Sequence, residues 1–288
     1  MDTISDYKHF LDSILCTIVL YKSNLNDSNA YKSIVSILEK ENQHIDFFIY
    51  DNSPIPDNNI HFKNSNNASI TYINNIENPG VSKAYNEAYK EASNKNKTFL
   101  LLMDQDTICP NNIFIEYSNS VIKYNDIKLF TPKLISNDLI LSPCNYFHGR
   151  GSAKKNISEG IHNFHKNSLL NSGILISTKV FAEVGGYNEQ IRLDFSDFYF
   201  INKFKKKYSQ FVVTNAVCMH SLSSDEISVE KNLERFKIYC EGARNFQSLT
   251  NFIWIFLISG YRMLKFTLKH KDIRFFIQFF KCYLINNK

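Results

Sequence analysis

The chain has 288 residues, 44% hydrophobic and 21% charged, with a net charge of +5. That is enough apolar material for one large α/β domain with an appendage, and too much for a mostly disordered chain. Six scattered cysteines with no C-x-x-C pair argue against a zinc site and a disulfide framework. Acids at the N-terminus and the lack of a roughly 18-residue apolar stretch argue against a signal peptide and a membrane span, so a cytoplasmic chain is expected.

In chain order, residues 14–21 are apolar and β-prone and predict a strand. Residues 28–39 have helical spacing, with Ile34, Ile37 and Leu38 on one side. Residues 45–50 predict a second strand, ending at Asp51-Asn52-Ser53-Pro54, and 70–73 a short third one. Asn78-Pro79-Gly80 reads as a turn and 82–92 as a helix. A buried strand from 98 then runs out at Met103-Asp104-Gln105-Asp106-Thr107. This grammar predicts an open, mostly parallel α/β sheet, in which ligands lie at the carboxyl ends of the strands. Tyr21, Asp51 and Asp104 all fall at such ends. Further on, 129–135 and 139–141 read as strands, 148–167 as a polar, mobile loop, and 171–177 as a strand. Residues 181–187 read as a short helix closed by Gly185-Gly186, and 191–207 as a helix containing Asp194 and Asp197. A strand at 211–217 leads to His220, and 228–246 reads as a long amphipathic helix.

Two carboxylates two residues apart at a strand end can hold a hard divalent cation such as Mg²⁺ or Mn²⁺, which takes oxygen ligands from acids and phosphates. The plainer alternative is a polar turn before Pro110. The G-x-G-x-x-G, G-x-x-x-x-G-K-[ST] and G-x-S-x-G patterns are absent, which disfavours dinucleotide dehydrogenases, P-loop enzymes and α/β-hydrolases. With nine glycines and no phosphate-cradling loop, a metal held by Asp104 and Asp106 is the natural way to neutralise phosphate.

The motifs Thr17-Ile18-Val19-Leu20-Tyr21, Tyr50-Asp51-Asn52-Ser53, Asn78-Pro79-Gly80 with Asn86, and Met103-Asp104-Gln105-Asp106-Thr107 follow one another in that order. After them come Asn171-Ser172-Gly173-Ile174-Leu175-Ile176, Val184-Gly185-Gly186-Tyr187, Leu193-Asp194-Phe195-Ser196-Asp197 and His220-Ser221. Over residues 14–246 this ordered set resembles family 2 glycosyltransferases of the GT-A fold, most of all the bacterial rhamnosyltransferase-like group. The resemblance implies an α/β GT-A domain over 1–227 and a helical extension over 228–288. It implies a metal-dependent, inverting transfer from a nucleotide-diphospho-sugar donor, dTDP-L-rhamnose by subgroup, to a glycan acceptor of bacterial surface polysaccharide.

The resemblance also implies roles for individual residues. Asp51 would accept from a pyrimidine base, Tyr21 would border it, and Asn78, Gly80 and Asn86 would belong to the donor site. Asp106 would bind the metal, Asp104 the ribose or the metal, and His220 would complete the metal site. Asp197 would be the catalytic base, with Asp194 beside it on one helical face. Simpler alternatives stand beside these: an Asx-turn at Asp51, a strand-end Tyr21, a structural His220 and a solvated acidic pair at 194 and 197. The family often follows this base with an acid and a Trp, whereas Phe198-Tyr199-Phe200 stands here, which puts acceptor details in doubt.

Residues 252–288 carry seven Lys/Arg against one Asp, so the tail nets +6 and the rest −1. Leu257, Tyr261, Leu264 and Leu268 fall on one helical stripe, and Arg262, Lys265 and Lys269 on another. Basic aromatic helices suit a membrane interface and would bring the chain to a lipid-linked acceptor on the cytoplasmic face of the inner membrane. Packing on the body or on a second subunit, as in a homodimer, is the alternative. Nucleic acid is a poorer partner because the body is near neutral. Three other functions remain: the same fold with a UDP-sugar, a nucleotidyltransferase, and a non-catalytic assembly scaffold.

Overall fold

Parallel register organises the N-terminal half. The computed structural model describes residues 3–56, 65–220 and 228–284. In chain order these form α1 (Thr3–Asp12), β1 (Ile14–Leu20), α2 (Asn29–Glu41), β2 (Ile45–Asp51), β3 (Ala68–Asn74), α3 (Val81–Asn94), β4 (Phe99–Asp104), β5 (Thr107–Ile108), α4 (Ile113–Lys123), β6 (Leu129–Ser136) and β7 (Leu139–Phe147). Then follow β8 (Arg150–Lys154), β9 (Gly160–Asn163), β10 (Asn167–Ser168), β11 (Ile174–Ser177), α5 (Thr178–Glu183), α6 (Ser196–Phe204), β12 (Gln210–His220), α7 (Val229–Phe246), α8 (Phe252–His270) and α9 (Arg274–Leu284).

β4, β1, β2 and β3 lie side by side and parallel, and β11 joins β4 antiparallel. β1 is buried along its whole length, as a central strand covered on both faces must be. One apolar layer packs α1, α2 and α4 on one face, with Ile34, Ile37, Leu38 and Phe114 at its centre. The second packs α3, α5 and α6 on the other face through Tyr85, Phe181 and Phe200.

The expected strands and helices of this half are present, with β2 and β3 extending past their expected ends. Helices α1 and α4 were not anticipated. In α4 the exposed Ile115 and Ile122 spread apolar character round the helix, which blurs the amphipathic period.

Two expectations are corrected. Residues 148–167 are not a free loop: β8 and β10 pair with β7, and β9 pairs with β12. Their side chains are largely exposed, so alternation gave no strand signal. The helix expected over 191–207 is only Ser196–Phe204, and Asp194 lies before it. Asp194 and Asp197 therefore do not share a helical face. Residue 221 and the 227/228 boundary fall wholly or partly outside the described residues.

The tail joins the body rather than trailing from it. A third apolar cluster ties Ile191 and Phe195 to Phe236, Tyr239 and Phe246 of α7, and to Ile255, Met263 and Phe279 of α8 and α9. Along α8 the buried stripe is Ile255, Ser259, Met263 and Phe266. The stripe of Leu257, Tyr261, Leu264 and Leu268 faces outward, each more than half exposed. Among the described residues no helix is long and apolar enough to cross a membrane.

Candidate active site

Register alone gathers the first acids. Leu20 pairs with Asp51 and Val19 with Asp104, so both acids flank the end of β1, with Tyr21 just beyond. Gln105, between the two acids of the motif, clamps this edge. Its Oε1 accepts from the Tyr21 amide at 2.8 Å and its Nε2 donates to the Tyr21 carbonyl at 3.3 Å. The Gln105 carbonyl accepts from the Ser28 hydroxyl and the Ala30 amide, which ties the turn to the start of α2.

His220 arrives from the far end of the chain. β12 pairs with β5 so that His220 stands opposite Thr107, one residue from Asp106. One ligand atom from each of Asp104, Asp106 and His220 lies within 4.8 Å of the others. The His220 Nδ1 is 3.4 Å from an Asp106 oxygen and 3.0 Å from the Thr107 hydroxyl. Thr107 in turn meets the Ser172 hydroxyl at 2.8 Å, and Ser172 accepts from the Asp104 amide at 3.0 Å. Such outer partners fix the orientation of metal-binding side chains. Burial raises the Asp104 pKa above its ordinary value, and the Asp106 charge adds to that, while His220 opposes it. Two carboxylates and an imidazole at this spacing fit a divalent cation, whose charge would offset the repulsion between the acids.

The other residues expected at the donor site are placed as follows. Asp51 is fully buried: one oxygen accepts from the Ser53 amide at 2.8 Å and the other from the Tyr72 hydroxyl at 2.7 Å. The first of these bonds closes an Asx-turn, the simpler alternative that the sequence offered beside base binding. Tyr21 is 42% exposed and free to border a ligand. Asn78 and Gly80 have positive φ, and a Cβ on Gly80 would lie 2.0 Å from the Arg192 carbonyl oxygen. The turn grips 191–192: the Arg192 guanidinium donates to the Asn78 carbonyl, the Val81 amide to the Arg192 carbonyl, and the Ser82 hydroxyl to the Ile191 carbonyl. Asn86 holds the Tyr187 backbone, accepting from its amide and donating to its carbonyl. Asn78, Gly80 and Asn86 thus fasten the turn before α3 and α3 itself to the segment that leads to Asp197.

Asp197 sits in the first turn of α6, and one oxygen accepts from the Phe198 amide at 2.7 Å. Burial pushes its carboxyl up to about 7, and the charges of Asp194 and Asp104 act in the same direction. A carboxyl poised near neutrality in this position is suited to general-base work. Asp194 is engaged by Arg235 of α7, with two nitrogen–oxygen approaches of 2.9 and 3.1 Å. Between the acids, Phe195 adopts a left-handed backbone, φ +70°, a conformation that costs a bulky residue energy and clusters at functional sites. α7 holds it there: the Phe195 ring lies 5.3 Å from that of Phe246, and Gly242 lets the helix approach the Asp194 carbonyl. Sequence reasoning missed Arg235, Gly242, Gln105 and the outer-shell roles of Thr107 and Ser172. The last three stood inside quoted motifs as the remaining polar residues, whereas nothing local marked Arg235 or Gly242.

No protein-family model matches the chain. It is 25% identical over 191 residues to the dTDP-rhamnosyl transferase RfbF of Shigella flexneri, which covers 64% of this chain and 60% of that protein. The chain thus spans less than two thirds of that relative's length. Among solved structures it is similar to S. aureus TarS 1–349 in complex with UDP-GlcNAc, with a TM-score of 0.52, 15% identity, and coverage of 93% of this chain and 79% of the other. It is also similar to GalNAc-T7 with UDP, GalNAc and Mn²⁺, with a TM-score of 0.56, 11% identity, and coverage of 91% and 55%. With its parallel strand edge, acidic pair and curled mixed sheet, the chain is a protein of the GT-A glycosyltransferase fold, rhamnosyltransferase-like in sequence.

Proposed function

We propose that the chain is a metal-dependent, inverting glycosyltransferase. It moves L-rhamnose from dTDP-L-rhamnose to a glycan acceptor in the assembly of bacterial surface polysaccharide such as O-antigen or capsule. The observation that carries this reading is the pairing, on a GT-A fold, of the Asp104–Asp106–His220 cluster with the near-neutral carboxyl of Asp197. The rhamnosyl donor rests on the similarity to RfbF.

Asp104, Asp106 and His220 would hold the cation, and an imidazole in the set favours Mn²⁺ over Mg²⁺. A bound ion supplies positive charge against the diphosphate. Asp197 in its carboxylate form accepts the proton of the acceptor hydroxyl as that oxygen bonds to the anomeric carbon. The bond from that carbon to the diphosphate oxygen breaks on the opposite face, and the nucleoside diphosphate leaves. Asp194 is a positioning residue: paired with Arg235, it holds the turn that presents Asp197. Tyr21 borders the base. Asp51 accepts from the pyrimidine base, at the end of β2 beside Tyr21. The exposed apolar stripe of α8 would rest on the cytoplasmic face of the inner membrane, close to a lipid-linked acceptor; a second copy of the chain is the other candidate to cover it.

A UDP-sugar donor is the second reading, supported by the UDP ligands of both solved neighbours. Calorimetry with dTDP, UDP, GDP and ADP, each with and without Mn²⁺, tests both. Metal-dependent preference for dTDP supports the rhamnosyl donor, and preference for UDP replaces it. Binding that ignores the metal, or no binding, removes the enzymatic reading and favours a scaffold.

A further inference from the structure

Asn171 and Ser172, just before β11, are both buried polar residues. The sheet holds them in place. The Gly173 amide after them donates to the Leu102 carbonyl at 2.7 Å, and β11 then runs beside β4. Gly173 has φ +84°, and a Cβ there would lie 2.6 Å from the Pro132 ring, so the chain turns at a fixed point. Ser172 serves the candidate metal site through the Asp104 amide and the Thr107 hydroxyl. The Asn171 side chain bonds a different set of partners.

Its Oδ1 accepts from the Tyr187 hydroxyl at 2.7 Å, and its Nδ2 donates to the Ser196 hydroxyl at 3.4 Å. Ser196 is the first residue of α6 and the neighbour of Asp197. No side chain caps this helix at the left-handed Phe195, and the Asn171–Ser196 bond holds its first turn instead. Tyr187 meets the same helix one turn on. Its ring stacks on Phe200, with centres 4.3 Å apart and planes 5° from parallel. Asn171 therefore grips α6 at two residues four apart, which share one helical face: directly at Ser196, and through the Tyr187 ring at Phe200.

We infer that Asn171 is a positioning residue for Asp197, fixing the base helix to the same strand end that carries the metal-site partner Ser172. The inference rests on the transferase reading for the role of Asp197. Packing alone would be served by an apolar residue at 171. Such a residue would leave the buried hydroxyls of Tyr187 and Ser196 without this partner, so the amide has a specific task. Two adjacent residues then serve opposite ends of one reaction: Ser172 steadies the acids that face the diphosphate, and Asn171 steadies the base that faces the acceptor hydroxyl. The strand end sets the spacing between them. A base displaced by about 1 Å loses roughly 10²-fold in rate, which is the scale of effect open to a residue that touches no reacting atom.

The test compares Asn171→Ala, Tyr187→Phe and Ser172→Ala with the parent chain in three measurements. These are amide hydrogen exchange, calorimetry of dTDP with Mn²⁺, and dTDP release from dTDP-L-rhamnose with water as the acceptor. Asn171→Ala should speed exchange about tenfold at the Phe198 and Tyr199 amides, which bond to Asp197 and Phe195. It should cut dTDP release roughly 10–10²-fold, with dTDP affinity and exchange at the Asp104 amide unchanged. Ser172→Ala should show the opposite pattern: faster exchange at Asp104 and weaker Mn²⁺-dependent binding, with the α6 amides unchanged. Tyr187→Phe removes one hydroxyl and keeps the ring on Phe200. It should repeat the Asn171 pattern at smaller size, and it carries the test if Asn171→Ala does not fold. Unchanged α6 exchange, or dTDP binding that falls as far as dTDP release, overturns the inference. If α6 exchange rises as expected and the parent releases no dTDP, the hold of Asn171 on α6 stands and the transferase reading falls.

Discussion

The two sides of the candidate site are built by different means. On the proposed donor side, strand register sets position: Asp104 sits beside Val19, and His220 faces Thr107, because backbone ladders put them there. On the proposed acceptor side, packing sets position. Asp197 stands where it does because α7 presses on a left-handed Phe195 and Arg235 grips Asp194. A ladder holds a residue through several hydrogen bonds of low sensitivity to side-chain identity. A packed turn depends on a few particular side chains and gives way when one is changed. The donor side should therefore tolerate changes around it, and the acceptor side should show effects from residues that touch no substrate.

The largest expected effects come from the chemical groups. Asp106→Ala should abolish metal-dependent nucleotide binding in calorimetry. Asp197→Asn should cut turnover by roughly 10²–10⁴ with dTDP affinity intact. If turnover survives the change at Asp197, the acceptor side has been assigned the wrong base.

Next is the turn joining the two sides. Gly80→Ala combines a strained φ with a 2.0 Å approach to the Arg192 carbonyl oxygen. A loss of about 3 kcal/mol is expected, which lowers Tm by roughly 6 °C or more in thermal unfolding. An unchanged Tm would mean that the two sides are not fastened there.

The pH dependence follows from Asp197. Its carboxyl is raised from 3.8 to about 7 by burial. Turnover should therefore climb with pH through a limb near 7, as the base ionises. For stability the sign is reversed from the common carboxylate case. Below pH 4 the group is neutral folded or unfolded and costs nothing. Between 4 and 7 the unfolded state ionises first, so stability falls as pH rises. Asp197→Asn should match the parent at pH 4 and exceed it at pH 8, by at most about 4 kcal/mol. Parallel stability curves from denaturant titrations at the two pH values would refute the raised pKa.

The smallest effects lie at the ion pair, and they separate positioning from catalysis. Asp194→Asn removes a negative charge and should move the limb to lower pH, whereas Arg235→Met should move it higher, each by a few tenths of a unit. Loss of all turnover on Asp194→Asn, with the fold intact, would make Asp194 the base instead.

The sequence disclosed the two sides unequally, for the same reason. Buried parallel strands write themselves as short apolar runs with a polar residue at each carboxyl end, so β1, β2 and β4 and the acids beyond them were legible. His220 was legible as a polar stop to an apolar strand, and its meeting with Asp106 followed only from the ordered motifs. The hairpin of β7 and β8 was half hidden, because β8 exposes both faces and shows no alternation. The true start of α6 was hidden by the left-handed Phe195, a conformation set by α7 more than 30 residues away in the chain. The tail's aromatic and basic character was plain, but which of its stripes faces inward was not. The stripe with the longer aliphatics is the exposed one, and Ser259 occupies a buried position, where it accepts from the Tyr283 hydroxyl.

The seating of the tail on the body has a practical meaning. Because the tip of the β7–β8 hairpin, at Gly149, closes onto Ile255 and Phe246, α8 is a wall of the molecule as much as an outward surface. Cutting the chain before α8 to improve its behaviour in solution would uncover that tip and open one side of the cavity between the hairpin and α8. A better-behaved form has to be sought by polar replacement of Leu264 and Leu268 on the outer stripe, with the helix itself retained. Solubility and integrity in this chain are separated by the width of a single helix.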